Sequence, residues 1–297
     1  HRKYRVPKMI SLSRILNTGL VKQSFVYVVC DGINKSISFL LLPFIARYLT
    51  PSDYGIVTNF NVYVQILSVF IYLCTAGALP VMYFKLGKYE MKSYVSNMIL
   101  LNTLATLLCL ILNIPCFQLI QRGLDIDFTY QFFAILVVWF TGITNINMLL
   151  WRCEEKPVKF GIYQISQSIV NAITTIFFVI ILLFGWQGRV YSMMAAAIIF
   201  GIISLLILYK RGYLEAKVKK EYIHQLILFA VPIIPHALSF WFRGGVDKIL
   251  LTNMVDLSEN GLYSVALTWG GMVSMFCVAF NNAYSPFLYK RLSMIDK

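Results

Sequence analysis

Eight long apolar segments dominate this 297-residue chain, at roughly 24–49, 55–79, 94–120, 128–150, 160–184, 190–209, 223–251 and 260–284. Most run to 20 residues or more, and about 20 apolar residues are what a helix needs to cross a bilayer. A barrel strand would be about ten residues long with strict alternation, so the segments predict helices. Composition agrees: 59% of residues are apolar, only 13% are charged, and the mean hydropathy is +0.71. Soluble domains carry about 25% charge. An ordinary soluble domain, a disordered chain and a disulfide-rich secreted module are therefore excluded. The first and seventh segments are the least apolar, and contain Pro43 and Pro232 with Pro235. Membrane helices tolerate proline as a kink.

The charge pattern predicts a topology. The connections 50–54, 121–127, 185–189 and 252–259 hold only two basic residues, Arg122 and Arg189. The N-terminal stretch, 80–93, 151–159, 210–222 and the C-terminal tail hold 20 of the 26 Lys and Arg. By the positive-inside rule, both termini of this chain are expected in the cytoplasm. The same asymmetry accounts for the net charge of +13 without invoking nucleic acid. His1 stands where a start Met would, so either the first eight residues precede a start at Met9 or the chain is a fragment. The six cysteines are scattered without a CxxC pair, which fits small buried apolar residues better than a metal site.

An internal repeat is visible. Ser36-Ile37-Ser38-Phe39 aligns with Ala237-Leu238-Ser239-Phe240, which puts Lys35 opposite His236 and Arg47 opposite Lys248. After a five-residue insertion, the turn Thr50–Gly55 faces the turn Asp256–Gly261. Six spans separate the copies, an even number, so the halves share one orientation and are related by an axis along the membrane normal. The expected organisation is a basic cytoplasmic segment 1–23, a first lobe 24–222 of six helices, and the first two helices of a second lobe, 223–297. On this expectation the sequence holds two of the second lobe's six helices.

Ionisable residues inside spans mark candidate sites, because they are costly there. Lys35 lies about 16 Å into the first helix at 1.5 Å per residue. Asp31, four residues earlier, shares its face and is either a neutralising neighbour or a coupling group. In the seventh helix His236, Arg243 and Asp247 are spaced by seven and four, on one stripe. Arg47 and Lys248 sit near helix ends, where snorkelling to the interface competes with a site role. Cations at mid-depth suit phosphate or pyrophosphate. Asn34, Gln65, Asn102, Asn145, Asn147, Gln164, Gln167 and Asn171 add polar groups within spans that could bind sugar hydroxyls or join helices. No P-loop, HExxH or GxSxG is present, so the chain reads as a transporter without cofactor or metal rather than an enzyme.

Several stretches resemble the Wzx-like polysaccharide-export flippases, in the superfamily that includes MATE exporters and lipid II flippases. They are Ala46–Gly55, Phe229-Ala230-Val231-Pro232, Asp247–Leu251 with Ser258–Ser264, and Ala283–Lys290. The resemblance implies an all-α, MATE-like membrane fold of two six-helix lobes around a cavity. It implies translocation of a polyprenyl-pyrophosphate-linked oligosaccharide, such as an O-antigen unit for lipopolysaccharide, across the bacterial inner membrane by alternating access. Membrane lipids and other polysaccharide-assembly proteins would be the further partners. It assigns the cavity cations to Lys35 and Arg243, with His236, Arg47 and Lys248 beside them and Asp31 and Asp247 as charge partners. An Asp-Lys pair at 247–248 replaces the family's usual Asp-Arg. Competing expectations are a MATE-like exporter of cationic drugs, whose cavity should be acidic, and a membrane enzyme of polysaccharide assembly, which should show a catalytic cluster.

Overall fold

The computed structural model describes residues 19–73, 75–215 and 217–271. The described residues form a helical bundle: α1 (Gly19–Ile45), α2 (Pro51–Tyr72), α3 (Thr75–Tyr83), α4 (Lys88–Leu124), α5 (Phe128–Cys153), α6 (Pro157–Thr175), α7 (Gly185–Lys210), α8 (Lys220–Met254) and α9 (257–271). Six stretches are long and apolar enough to cross a membrane on their own: α2 with α3, α4, α5, α6 with its extension, α7 and α8. The 27-residue α1 carries Asp31 and Lys35, and α9 is described only as far as residue 271. The eight apolar segments thus map in order onto α1, α2 with α3, α4, α5, α6, α7, α8 and α9. The motif Ala283–Lys290 and most of the segment 1–23 lie outside the described residues.

The second segment differs from its expectation as one helix. Leu73 takes a left-handed conformation (φ 45°) and ends α2, and the short α3 follows. At the other end of α2, Thr50 and Asp53 form a reciprocal cap: Asp53 N donates to Thr50 Oγ1 (3.1 Å) and Thr50 N to Asp53 Oδ2 (2.9 Å). Two of the helix's orphan N-terminal groups are satisfied in this way, and Pro51 at the first position loses nothing by lacking its N–H. The equivalent turn before α9 repeats the device in part, Glu259 N donating to Asp256 Oδ1 (2.8 Å).

α5 is the hub. It packs against α2, α3, α4, α6 and α7, with Ala134, Ile135, Val138 and Leu150 fully buried. Its burial contrasts with α4, whose Leu104, Leu107, Leu108, Ile111, Leu112 and Leu119 are all exposed. A row of exposed aliphatic side chains on a long helix is a lipid-facing surface. Among the described residues α1 packs chiefly on α6, meets α9 where Phe39 touches Trp269 (5.2 Å), and forms no extended interface with α2 or α8. α8 lies on α2 and α4.

The two ends of the bundle differ. Rim A carries the turns near residues 46–50, 125–127, 182–184 and 255–256; rim B carries 84–87, 154–156 and 211–219. At rim A the starts of α2 and α9 touch backbone to backbone. A Cβ on Gly55 would overlap the carbonyl oxygen of Leu257, and one on Gly261 would overlap that of Pro51. The contact is reciprocal: each glycine meets the first helical residue of the other turn. Below it, Asn59 and Asn260 are both fully buried. Asn59 Nδ2 donates to Leu124 O (2.8 Å), and Asn260 Nδ2 donates to Asn59 Oδ1 and to Thr252 Oγ1 (2.9 Å each). At rim B, Glu154 pairs with Lys156 (2.7 Å) and with Arg211. Tyr213 leans on Arg211 (4.9 Å), and burial raises its phenol above the usual range while Arg211 pulls the other way.

Candidate functional site

Among the described residues the sequence-derived cations are divided between α1 with its following turn (Lys35, Arg47) and α8 (His236, Arg243, Lys248), two helices without an extended interface. Lys35 is exposed on α1 and forms no ion pair with Asp31. Asp31 instead turns to α6, accepting from Gln164 Nε2 (3.0 Å). Of the two readings left open for Asp31, neutralising neighbour of Lys35 or coupling group, the structure shows neither directly: its observed partner is the amide of the neighbouring helix. On α8, Arg243 is exposed and lies over the Phe240 ring (5.3 Å), and exposed His236 meets the edge of the same ring (5.0 Å). Arg47 is exposed in the turn after α1. Asp247 accepts from Tyr263 Oη (2.7 Å) and from the backbone of Lys248 (2.9 Å), tying α8 to α9. Lys248 Nζ donates to Gly244 O and faces a cavity of about 250 Å³ bordered by Thr58, Asn61, Gln65, Ser264 and Thr268.

A second cavity of about 220 Å³ adjoins it, sharing Thr58, Asn61, Ser264 and Thr268. Its walls come from α1 (Ile37, Leu41, Ile45), α2, α6 (Ser168, Asn171), α7 and α9. The cation in this wall is Arg189, which the sequence reading assigned to a connection. Arg189 Nη1 donates to Thr175 Oγ1 (2.7 Å), Asn171 Oδ1 (3.1 Å) and Ser192 Oγ (3.3 Å). Thr175 and Ser192 are fully buried.

Local structure explains the placement. The last turns of α6 widen into a π-helical stretch, Ile176–Ile181, and the chain reverses through Leu183 and Gly185, both at positive φ. Gly188 then lets α7 close on this stretch: a Cβ there would sit 2.8 Å from Phe178 O. One residue later, Arg189 points at α6. The partners on α6 belong to a polar stripe, Gln164, Ser168, Asn171 and Thr175, with helical spacing of four, three and four. Ser168 bonds to Asn34 of α1, so the stripe runs from Asp31 through Asn34 to Arg189. That spacing was the signal available in the sequence, since four polar residues on one face of a membrane helix need a facing partner.

The profile described as polysaccharide biosynthesis protein matches residues 20–290. Two proteins of Haemophilus influenzae are similar: the Lsg locus putative protein 1, 24% identical over 280 residues (91% of this chain), and an uncharacterized membrane protein, 24% identical over 289 residues (92%). The chain spans 66% of the length of each. Among solved structures, an outward-facing multidrug resistance MATE family transporter of the MOP superfamily superposes with a TM-score of 0.62 at 14% identity, covering 95% of this chain and 77% of that one. A MOP superfamily transporter from Pyrococcus furiosus, described as having a binding pocket of reverse polarity, gives 0.56 at 13% identity, covering 94% and 75%. At such identities the likeness speaks for the fold alone. With its lipid-facing helices, MATE-like fold and profile match over nearly its whole length, the chain is a multi-pass membrane protein belonging to the polysaccharide biosynthesis protein family.

Proposed function

We propose that the chain acts in flipping a polyprenyl-pyrophosphate-linked oligosaccharide from the cytoplasmic to the outer face of a bacterial inner membrane, by alternating access of two lobes. In this reading rim B, with its Lys and Arg, is cytoplasmic and rim A faces outward. Residues 24–222 make the first lobe, and 223 onward begins the second. The observation that carries the proposal is the exposure of Lys35, Arg243 and His236 on helices of membrane-spanning length. Lipid would not tolerate such groups at depth, so in this reading these faces border water, cargo or the remainder of the second lobe. Cationic faces suit a pyrophosphate. Arg47 and Lys248 are assigned to the same anionic cargo nearer rim A, with Asp31 and Asp247 as charge partners. A MATE-like exporter of cations fits less well, because both acidic side chains are already engaged by Gln164 and Tyr263.

The test expresses the native gene in a host whose own saccharide-lipid flippase is deleted. Restored surface polysaccharide is expected with the native sequence. Changing Lys35 and Arg243 together to Ala should abolish it, with lipid-linked saccharide accumulating on the cytoplasmic face. Undiminished polysaccharide in that double variant would remove the assigned roles. Resistance to cationic drugs in place of polysaccharide would favour the exporter.

A further inference from the structure

Arg189 is held as a ligand-binding arginine would be, and nothing in the flippase reading uses it. All three of its hydrogen bonds leave from Nη1. Arginine presents five N–H donors in a rigid fork. The three on Nε and Nη2 meet no acceptor among the described residues. Nor does a carboxylate neutralise the group, since both ion pairs among the described residues belong to Glu154 at rim B. The partners of Arg189 are hydroxyls and one amide oxygen, which fix its orientation while leaving its charge uncompensated. A half-buried charge with no countercharge among the described residues is costly, and more so at membrane depth. The cavity wall holds a second unused donor. Tyr54 Oη is buried and has no hydrogen-bond partner among the described residues. Asn61 and Ser168 line the same space, and Lys248 faces the adjoining one. A volume of about 220 Å³ equals about seven waters at 30 Å³ each, room for a tetrahedral or planar oxyanion with part of its hydration.

We propose that this chamber is an oxyanion site, in which the free edge of Arg189 (Nε and Nη2) binds a phosphate or carboxylate group in bidentate fashion and Tyr54 Oη donates to the same group. The walls come from α1, α2, α6, α7 and α9, one turn in from the Gly55–Gly261 contact. The oxyanion comes either from a soluble ion or from the head of a membrane lipid, and the inference stands whether or not the cargo is a saccharide lipid.

The test uses the full chain in nanodiscs of neutral lipid, with thermal unfolding as readout. Methyl phosphate and glucuronate are the soluble probes. Polyprenyl monophosphate built into the disc is the lipid-borne one, and sodium chloride at equal ionic strength is the control. A saturable stabilisation by either soluble probe, or by the lipid probe alone, is expected, and the arm that responds names the source. Arg189→Gln should weaken it at least about tenfold, the scale of a lost charge-assisted bond. Arg189→Lys keeps the charge but loses the fork and should weaken it by less. Tyr54→Phe should weaken it about threefold to tenfold. If Arg189→Gln does not fold, the Lys and Phe variants decide. Absence of a saturable response beyond chloride, or unchanged affinity in the variants, overturns the site.

Discussion

Arg189 and Arg243 are both arginines on membrane-spanning helices, and the fold treats them in opposite ways. Arg189 is fastened from one side by three acceptors on α6 and α7, so its position is fixed before any ligand arrives. Arg243 lies on an exposed face, with the Phe240 ring as its one contact of this kind among the described residues. A fixed cation offers geometry and a loose one offers reach. Fastening costs little entropy at the moment of binding and discriminates by shape, whereas a side chain free to swing gives up rotamer entropy when a ligand holds it.

The contrast depends first on Gly188, so Gly188→Val should be the most damaging change, destabilising by about 3 kcal/mol through overpacking against Phe178 O. Denaturation of the purified variant in detergent measures it, and an unchanged midpoint would mean that α7 does not need this close approach. Arg189→Gln should cost about 2 kcal/mol, the upper range for losing charged hydrogen bonds, as read by the same unfolding curves. Thr175→Val removes the shortest of the three bonds and should cost about 1 kcal/mol. Arg243→Gln should stay within about 0.5 kcal/mol of the parent, because an exposed group leaves nothing unsatisfied behind. A loss for Arg243→Gln equal to that for Arg189→Gln would erase the distinction between a fastened and a loose cation.

How far the sequence reveals these two residues follows from what each depends on. Arg243 stands inside an apolar segment, where a charge is conspicuous, and its stripe with His236 and Asp247 follows from helical periodicity. Arg189 stands four residues into α7, at the edge of its apolar segment, and there it reads as a basic residue of a connection. Only the π-helical widening of α6 and the reversal at Leu183 and Gly185 draw it inward, and both depend on packing between helices. The spans themselves were legible because bilayer thickness and backbone hydrogen bonding leave a chain few options. The break at Leu73 was not, since Ile71, Tyr72 and Leu73 continue the apolar run without a Gly or Pro to mark it. The Asp31–Lys35 spacing sets the two one turn apart on α1 but does not say which neighbour each meets. The choice of Gln164 as partner belongs to the meeting of α1 with α6.

The paired turns at rim A carry a mechanical implication. Gly55 against Leu257 and Gly261 against Pro51 make a contact of main chain on main chain, and the buried Asn59–Asn260 pair fastens the two helices just beneath it. Drawing the two turns apart would strip buried amides of their partners, which costs more than sliding smooth backbone off backbone. The two helices are thus joined like a riveted hinge plate, flush where the backbones meet and pinned by amides underneath.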